Sequence, residues 1–148
     1  VAKLRLMIAS PERELYHGDV DIVLAPSVEG QLGILPHHSP LIAQLDEGLL
    51  TARVGSEEYV FAIHGGFIQV LPDRVIVLAD TAERAEEIDM QRAEEARQRA
   101  LEALRTAPPE KQRLTEVALR RSQVRLRAGR RRRRRARPSR PAEPATDQ

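Results

Sequence analysis

The chain has 148 residues, enough for one domain with an appendage, and a net charge of +2 from 24 Lys/Arg and 22 Asp/Glu. It contains no cysteine, which excludes a disulfide framework and a thiolate metal site. The charge is divided: residues 1–84 sum to −6, residues 85–128 to +2 and residues 129–148 to +6. An acidic body with a basic tail is the reverse of a nucleic-acid-binding domain, which wears positive charge on its folded surface.

No apolar segment approaches the ~20 residues that a membrane span needs. No basic stretch leads into an apolar run at the start, so a cytoplasmic product is expected. Residues 3–8 (Lys-Leu-Arg-Leu-Met-Ile) alternate polar and apolar before Ser10-Pro11 and predict a first strand. Further short strands are predicted at 20–24, closed by Pro26 and Gly30; at 34–36; at 49–54, before Gly55-Ser56; at 59–63; at 67–71; and, after Pro72-Asp73, at 75–78. Gly65-Gly66 reads as a tight turn that needs positive φ. Strands recurring about every ten residues between Gly, Pro and Asp turns indicate an antiparallel sandwich or barrel.

The pattern changes near residue 84. Residues 88–104 hold no Gly or Pro and are rich in Ala, Glu, Arg and Leu, which predicts a helix with Glu86, Glu87 and Asp89 at its positive end. Pro108-Pro109 ends it. A second helix is predicted from about Glu110 to Arg127, stopping at Gly129. The short link makes the two helices antiparallel neighbours. Ala93, Ala96, Ala100 and Ala103 share one face of the first helix, with Asp89 at its N-terminal end and Arg92 and Arg99 beside it. Leu114, Val117, Ala118 and Ala128 share a face of the second, with Arg121 and Arg125 in its middle. The expected fold is therefore α+β: an antiparallel β-sandwich over 1–84, a two-helix hairpin over 85–128, and a disordered basic tail over 129–148 that carries Arg130 to Arg135.

Arginines aimed into an alanine seam need anionic partners, because an unpaired buried charge is costly. For Arg121 and Arg125 a bidentate phosphate clamp stands against a plainer reading, a salt bridge to Asp89 or Glu94 or simple exposure to water. Asp89 either reads a ligand or caps its helix. His37 and His38 precede a Ser39-Pro40 turn, His17 and His64 stand apart, and no metal-ligand spacing joins them. Ser39 has no triad context. Neither a metal site nor a catalytic group is expected. Gly30-Gln31-Leu32-Gly33 lacks the Gly-Lys-Ser/Thr ending of a phosphate loop, and no helix follows it. The arginine run suits a polyanion, but no interleaved aromatic supports base stacking, and a solvated tail without a specific partner is the competing reading.

Three segments together resemble the epsilon subunit of the F-type rotary ATP synthase. They are Glu29-Gly-Gln-Leu-Gly-Ile-Leu-Pro-His-His-Ser-Pro-Leu41, His64-Gly-Gly-Phe-Ile-Gln-Val70, and Val77-Leu-Ala-Asp-Thr81 leading into Ile88-Asp89-x-x-Arg92-Ala93. The resemblance covers about residues 3–127 and leaves out the arginine-rich tail. It implies a non-catalytic subunit at the foot of the central stalk, peripheral on the cytoplasmic face of the membrane. Its sandwich would bind the gamma subunit and the membrane ring, with Glu29, Gln31 and His38 as ring contacts. The hairpin would restrain ATP hydrolysis when extended, its basic second helix meeting acidic segments of the catalytic head. In some members ATP, a regulatory ligand rather than a required cofactor, binds the folded form. On this chain the resemblance places that site at Glu83, Ile88, Asp89, Arg92, Ala93, Arg121 and Arg125. The alternative functions are a polyanion- or nucleic-acid-binding protein acting through its tail, and a hydrolase using His38 and Ser39. The acidic body and the lack of aromatic platforms count against nucleic acid.

Overall fold

The computed structural model describes residues 2–136, with side chains through Arg132. Seven strands, β1 (Leu4–Ala9), β2 (Glu14–Val20), β3 (Ile22–Ser27), β4 (Gly30–Ile34), β5 (Leu41–Val54), β6 (Glu57–Val70) and β7 (Arg74–Arg84), form one sheet of order β2-β1-β7-β6-β5-β3-β4. A single 3-10 turn at Ala85–Glu87 leads to α1 (Met90–Thr106) and α2 (Pro109–Ala136).

The sheet folds over to make both layers of the expected sandwich. Tyr16 of β2 stands three places from β6 in strand order, yet its ring lies 5.3 Å from Tyr59 and 5.9 Å from Phe61 of β6. Between the layers Leu4, Leu6, Ile8, Val23, Leu50 and Ile68 are fully buried. The expectation of a wholly antiparallel sheet is corrected at one place: β1 runs parallel to β7. No hairpin joins these two strands, so no tight turn dictates their direction.

The strand boundaries also differ from the sequence reading. Asp21 breaks the predicted 20–24 run in two: its carboxylate accepts from the Gly55 backbone N–H at 2.7 Å and pairs with Lys3. β2 was missed, because its Glu14-Leu-Tyr-His-Gly-Asp-Val sequence carries turn-like residues. β5 begins at Leu41, eight residues before the predicted start, since Asp46-Glu47-Gly48 interrupts the apolar pattern.

Gly65-Gly66 is not a turn. Both glycines have positive φ (79° and 117°), as expected, but they lie inside β6. The ladders of β6 with β5 and β7 keep one register throughout and omit only the Asp46–Gly65 and Gly65–Asp80 pairs. At this level all three strands change which residues face the core. In β5 the inward residues pass from Leu45 to Leu50 and Ala52; in β6 from Phe61 and Ile63 to Ile68 and Val70; in β7 from Val75, Val77 and Ala79 to Ala82. A strand alternates its faces with period two, so the switch requires a local break in the pleat. Only glycine fits there: a Cβ on Gly66 would stand 2.2 Å from the Leu78 carbonyl oxygen and 2.7 Å from Ala79 Cα.

The break lets β6 be buried on both faces. Phe61 and Ile63 enter the sandwich core, while Val60 and Ala62 join a second cluster with Ala85, Ile88, Ala93, Val124, Leu126 and Ala128. The hairpin is thus folded down on the outer face of β5 and β6. Its buried residues on α2 include Ser122, Val124, Leu126 and Ala128, on two sides of the helix, whereas Leu114 is 73% exposed. The predicted face is corrected at Leu114, Val117 and Ala118, which are exposed, and holds at Ala128, which is buried, because only the C-terminal part of α2 lies over the sheet. The predicted stop at Gly129 is corrected too. The helix continues to Ala136, through Arg130–Arg135, and a Cβ at Gly129 would meet Met90 Sδ at 2.0 Å. Glycine costs a helix about 1 kcal/mol relative to alanine, and here it admits the Met90 thioether. Residues 137–148, most of the predicted tail, lie outside the described residues.

Gly66→Ala is expected to destabilise the chain by about 3 kcal/mol, from a φ disfavoured for any side chain and a clash with rigid backbone. Urea unfolding monitored by circular dichroism measures it, and an unchanged midpoint would contradict the assigned role of this glycine.

Candidate functional site

The break turns three titratable side chains outward, beneath the hairpin. Glu47 of β5 and His64 of β6 stand opposite one another, and His64 Nδ1 is 2.6 Å from the Glu47 carboxylate. His64 Nε2 is 3.7 Å from Glu83 of β7, a charge contact beyond hydrogen-bond reach. α2 closes both ends of this row. Arg125 Nε donates to Glu83 at 2.8 Å, and Arg121 Nε is 3.5 Å from Glu47. Just outside it, Arg120 donates to Asp46 at 3.2 Å. The row Arg121–Glu47–His64–Glu83–Arg125 alternates cation and anion when His64 is protonated, which is how a joint can hold charges away from water at tolerable cost.

The ionisation of the row follows from its packing. Burial works to lower the His64 pKa, and the Glu83 and Glu47 carboxylates outweigh it, raising the group above its ordinary 6.5. Glu83 is held below its ordinary 4.5, chiefly by His64 and, against the cost of burial, by Arg125. Glu94, an anticipated partner for the α2 arginines, is taken instead by Arg97 at 2.7 and 3.1 Å; Arg97 and then Gln98 lower its carboxyl to about 2. The ion-pair reading of Arg121 and Arg125 therefore holds in kind, with Glu47 and Glu83 as partners in place of Asp89 and Glu94.

The remaining expected residues fall into two groups. Ile88 and Ala93 are buried in the cluster with Val124 and Ala128, which sets the Ile88–Ala93 motif beside the 124–128 stretch of α2. Asp89 is the N-cap of α1, accepting from the Arg92 backbone N–H at 3.1 Å, while the Arg92 side chain is 82% exposed. Glu83 and Arg125 are in direct contact. A cationic cleft of about 520 Å³ lies between the helices, lined by Arg97, Arg120, Arg127 and Arg130, and none of the expected residues borders it. Glu29 lies in the exposed β3–β4 turn, Gln31 is exposed on β4, and His38 lies in the following loop with Nδ1 2.7 Å from the Ser39 carbonyl. Sequence reasoning missed Glu47 and His64. The available signal was the run Val60 to His64, apolar at successive positions where a one-faced strand would alternate.

Linkage fixes the sign of a pH effect. The His64 contribution is complete below pH 6.5 and is lost as pH rises through its raised value. The Glu83 contribution is complete above pH 4.5 and is lost as pH falls through its lowered value. The row therefore stabilises the fold most between pH 4.5 and pH 6.5. His64→Gln is expected to remove the decline on the alkaline side and to weaken the acid limb to what Arg125 sustains, since His64 is the main cause that lowers Glu83. Urea midpoints measured across pH check this, and an alkaline decline that survives His64→Gln would refute it.

The chain matches the β-sandwich domain of the ATP synthase delta/epsilon chain over residues 3–85 and the long α-helix domain of the same chain over residues 86–129. It is 48% identical over 134 residues to an ATP synthase epsilon chain of Dehalococcoides mccartyi, covering 89% of this chain and 96% of that one. It is 47% identical over 131 residues to an ATP synthase epsilon chain of Moorella thermoacetica, covering 86% and 97%. In fold it is similar to a chain in the cryo-EM structure of the Euglena gracilis mitochondrial ATP synthase, OSCP/F1/c-ring in rotational state 1. The TM-score is 0.76 at 24% identity, over 84% of this chain and 79% of that one. Both matched domains occur in the order that the two bodies of the structure show: the chain belongs to the ATP synthase delta/epsilon chain family.

Proposed function

We propose that the chain is the non-catalytic epsilon subunit of the central stalk. It couples rotation of the membrane ring to ATP synthesis and restrains ATP hydrolysis through a hairpin that leaves the sandwich. The observation that carries this reading is the make-up of the joint. The hairpin does not share the sandwich core; it closes a separate, small apolar cluster and a row of ion pairs. A sandwich whose own core closes without the hairpin, joined to it by a small apolar cluster and ion pairs, can release it without unfolding.

The sandwich offers the surfaces that such a subunit needs. On the outer face below the break, Ile42, Phe67 and Leu78 are 72%, 58% and 56% exposed, and Phe67 and Leu78 are directly paired. An exposed apolar patch of this kind supports docking on a partner, here the gamma subunit. The β3–β4 end, with Glu29, Gln31 and His38 and the exposed Val28 and Leu35, supports contact with the membrane ring. Among the described residues no helix is long and apolar enough to cross a membrane, in keeping with peripheral attachment through these surfaces.

ATP is the proposed regulatory ligand of the folded-down form, held by Glu83, Ile88, Asp89, Arg92, Ala93, Arg121 and Arg125. A ligand that binds only this form favours it by RT ln(1 + [ATP]/Kd). Arg121 and Arg125 already meet carboxylates, so their loss also weakens the joint. Arg92 pairs only loosely with Asp89, at 3.9 Å. Its removal isolates nucleotide binding from docking.

ATP hydrolysis by the assembled enzyme tests the proposal. A chain ending after Ala85 is expected to give faster hydrolysis than the full chain at low ATP, by severalfold. The difference should shrink as ATP rises. Arg92→Ala is expected to move that release to higher ATP. Equal rates with the full and shortened chains would refute the brake, and an unmoved release in Arg92→Ala would refute the nucleotide assignment.

A further inference from the structure

The end of α2 touches the sandwich a second time, beyond the residues matched to the family, which end at 129. Arg131 donates to Glu58 from Nε at 3.0 Å and from Nη2 at 2.6 Å, and the Glu58 side chain is fully buried. One residue on, Arg132 Nη1 is 3.4 Å from Glu86 in the 3-10 turn. Arg132 also borders a hollow of about 190 Å³ floored by Leu15, Tyr16, Tyr59 and Phe61. These contacts lie at the edge where β2 folds back onto β6, away from the Glu47–His64–Glu83 row.

From these contacts we infer that the arginine run is an intramolecular clasp: Arg131 and Arg132 lock the hairpin onto the Glu58–Glu86 edge of the sandwich and hold the folded-down form independently of ATP. The chemistry is specific. A buried carboxylate that accepts two guanidinium hydrogen bonds loses both when the helix lifts, and desolvated charge pairs are costly to break from one side. The outer pair at Glu86 is half exposed, so salt screens it. The charge division between body and tail matches the contact: Glu58 and Glu86 of the body meet Arg131 and Arg132, while the neighbouring Glu87 is taken by Arg13. The helix must run unbroken through Gly129 for the two guanidinium groups to reach this edge. The clasp deepens the mobile-hairpin reading and rests on it, by adding to the cost of raising the hairpin into its restraining position.

The chain has no cysteine of its own, so dyes on cysteines introduced at Gln69 and Glu116 report hairpin docking by energy transfer in the full-length isolated chain. Arg131→Ala with Arg132→Ala is expected to lower the docked-to-undocked ratio about tenfold at low salt, the scale of one charged hydrogen-bonded pair. High salt should narrow the gap from wild type. The control, Arg127→Ala with Arg130→Ala, removes equal charge from the open cleft and is expected to change the ratio less than about twofold. Glu86→Arg should weaken docking, and adding Arg132→Glu should restore it. A double alanine variant as docked as wild type overturns the clasp. So does a control that loses as much, or a charge swap without rescue. The brake is read in the assembled enzyme and the clasp in the isolated chain, so the two can fail separately.

Discussion

Three adjacent strands exchange their inward and outward residues at a single level, and two consecutive glycines make the exchange sterically possible. The rest of the molecule depends on this. Below Gly65-Gly66 the outer face of β5, β6 and β7 carries exposed apolar residues, Ile42, Phe67 and Leu78. Above it the outer face carries Val60, Ala62, Glu47, His64 and Glu83, the residues that the hairpin covers. With an unbroken pleat, Phe61 and Ile63 would face the helices, and Val60 and His64 would enter the sandwich core. One backbone irregularity therefore sets both where the sandwich exposes apolar residues and where the hairpin rests.

The joint is small and charged. Its apolar part consists of small residues, mostly alanine and valine, so it buries little area compared with the sandwich core. Its polar part is an alternating row of charges with His64 at the centre. Such a row favours one geometry over its alternatives more than it adds net stability, since each charge has given up water to enter it. Docking held this way depends on pH through His64 and on salt through the exposed ion pairs, because each acts on the same equilibrium.

Much of this was legible in the sequence. The composition shift near residue 84 marks the boundary between the two bodies, and the short Pro108-Pro109 link places α1 against α2. The need for positive φ at Gly65-Gly66 was also readable, and the pairing of Arg121 and Arg125 with carboxylates was one of two readings. What could not be read were the features set by distant strands. A glycine pair with positive φ looks the same in a turn as in a pleat break, and only the constant register with β5 and β7 distinguishes them. Arg125 pairs with Glu83 across 42 positions, and Arg131 with Glu58 across 73, so helical periodicity alone could not find either partner. Gly129 carries the usual mark of a helix end, yet packing against Met90 keeps it helical. Of the residues that the resemblance implies, Glu83 and Arg125 touch and Ile88 and Ala93 share one cluster, whereas Arg121 meets Glu47 at the other end of the row and Arg92 is exposed.

The central claim is that the charged row couples the hairpin to the sandwich, and a double-mutant cycle tests it most directly. Glu83→Gln, Arg125→Gln and the double variant are compared with wild type by urea unfolding at a pH where His64 is protonated. A coupling of about 1 kcal/mol or more between Glu83 and Arg125 is predicted for a part-buried, directly hydrogen-bonded pair. Additive effects, with no coupling, would mean that the hairpin rests on the sheet by apolar contact alone, and would contradict the claim.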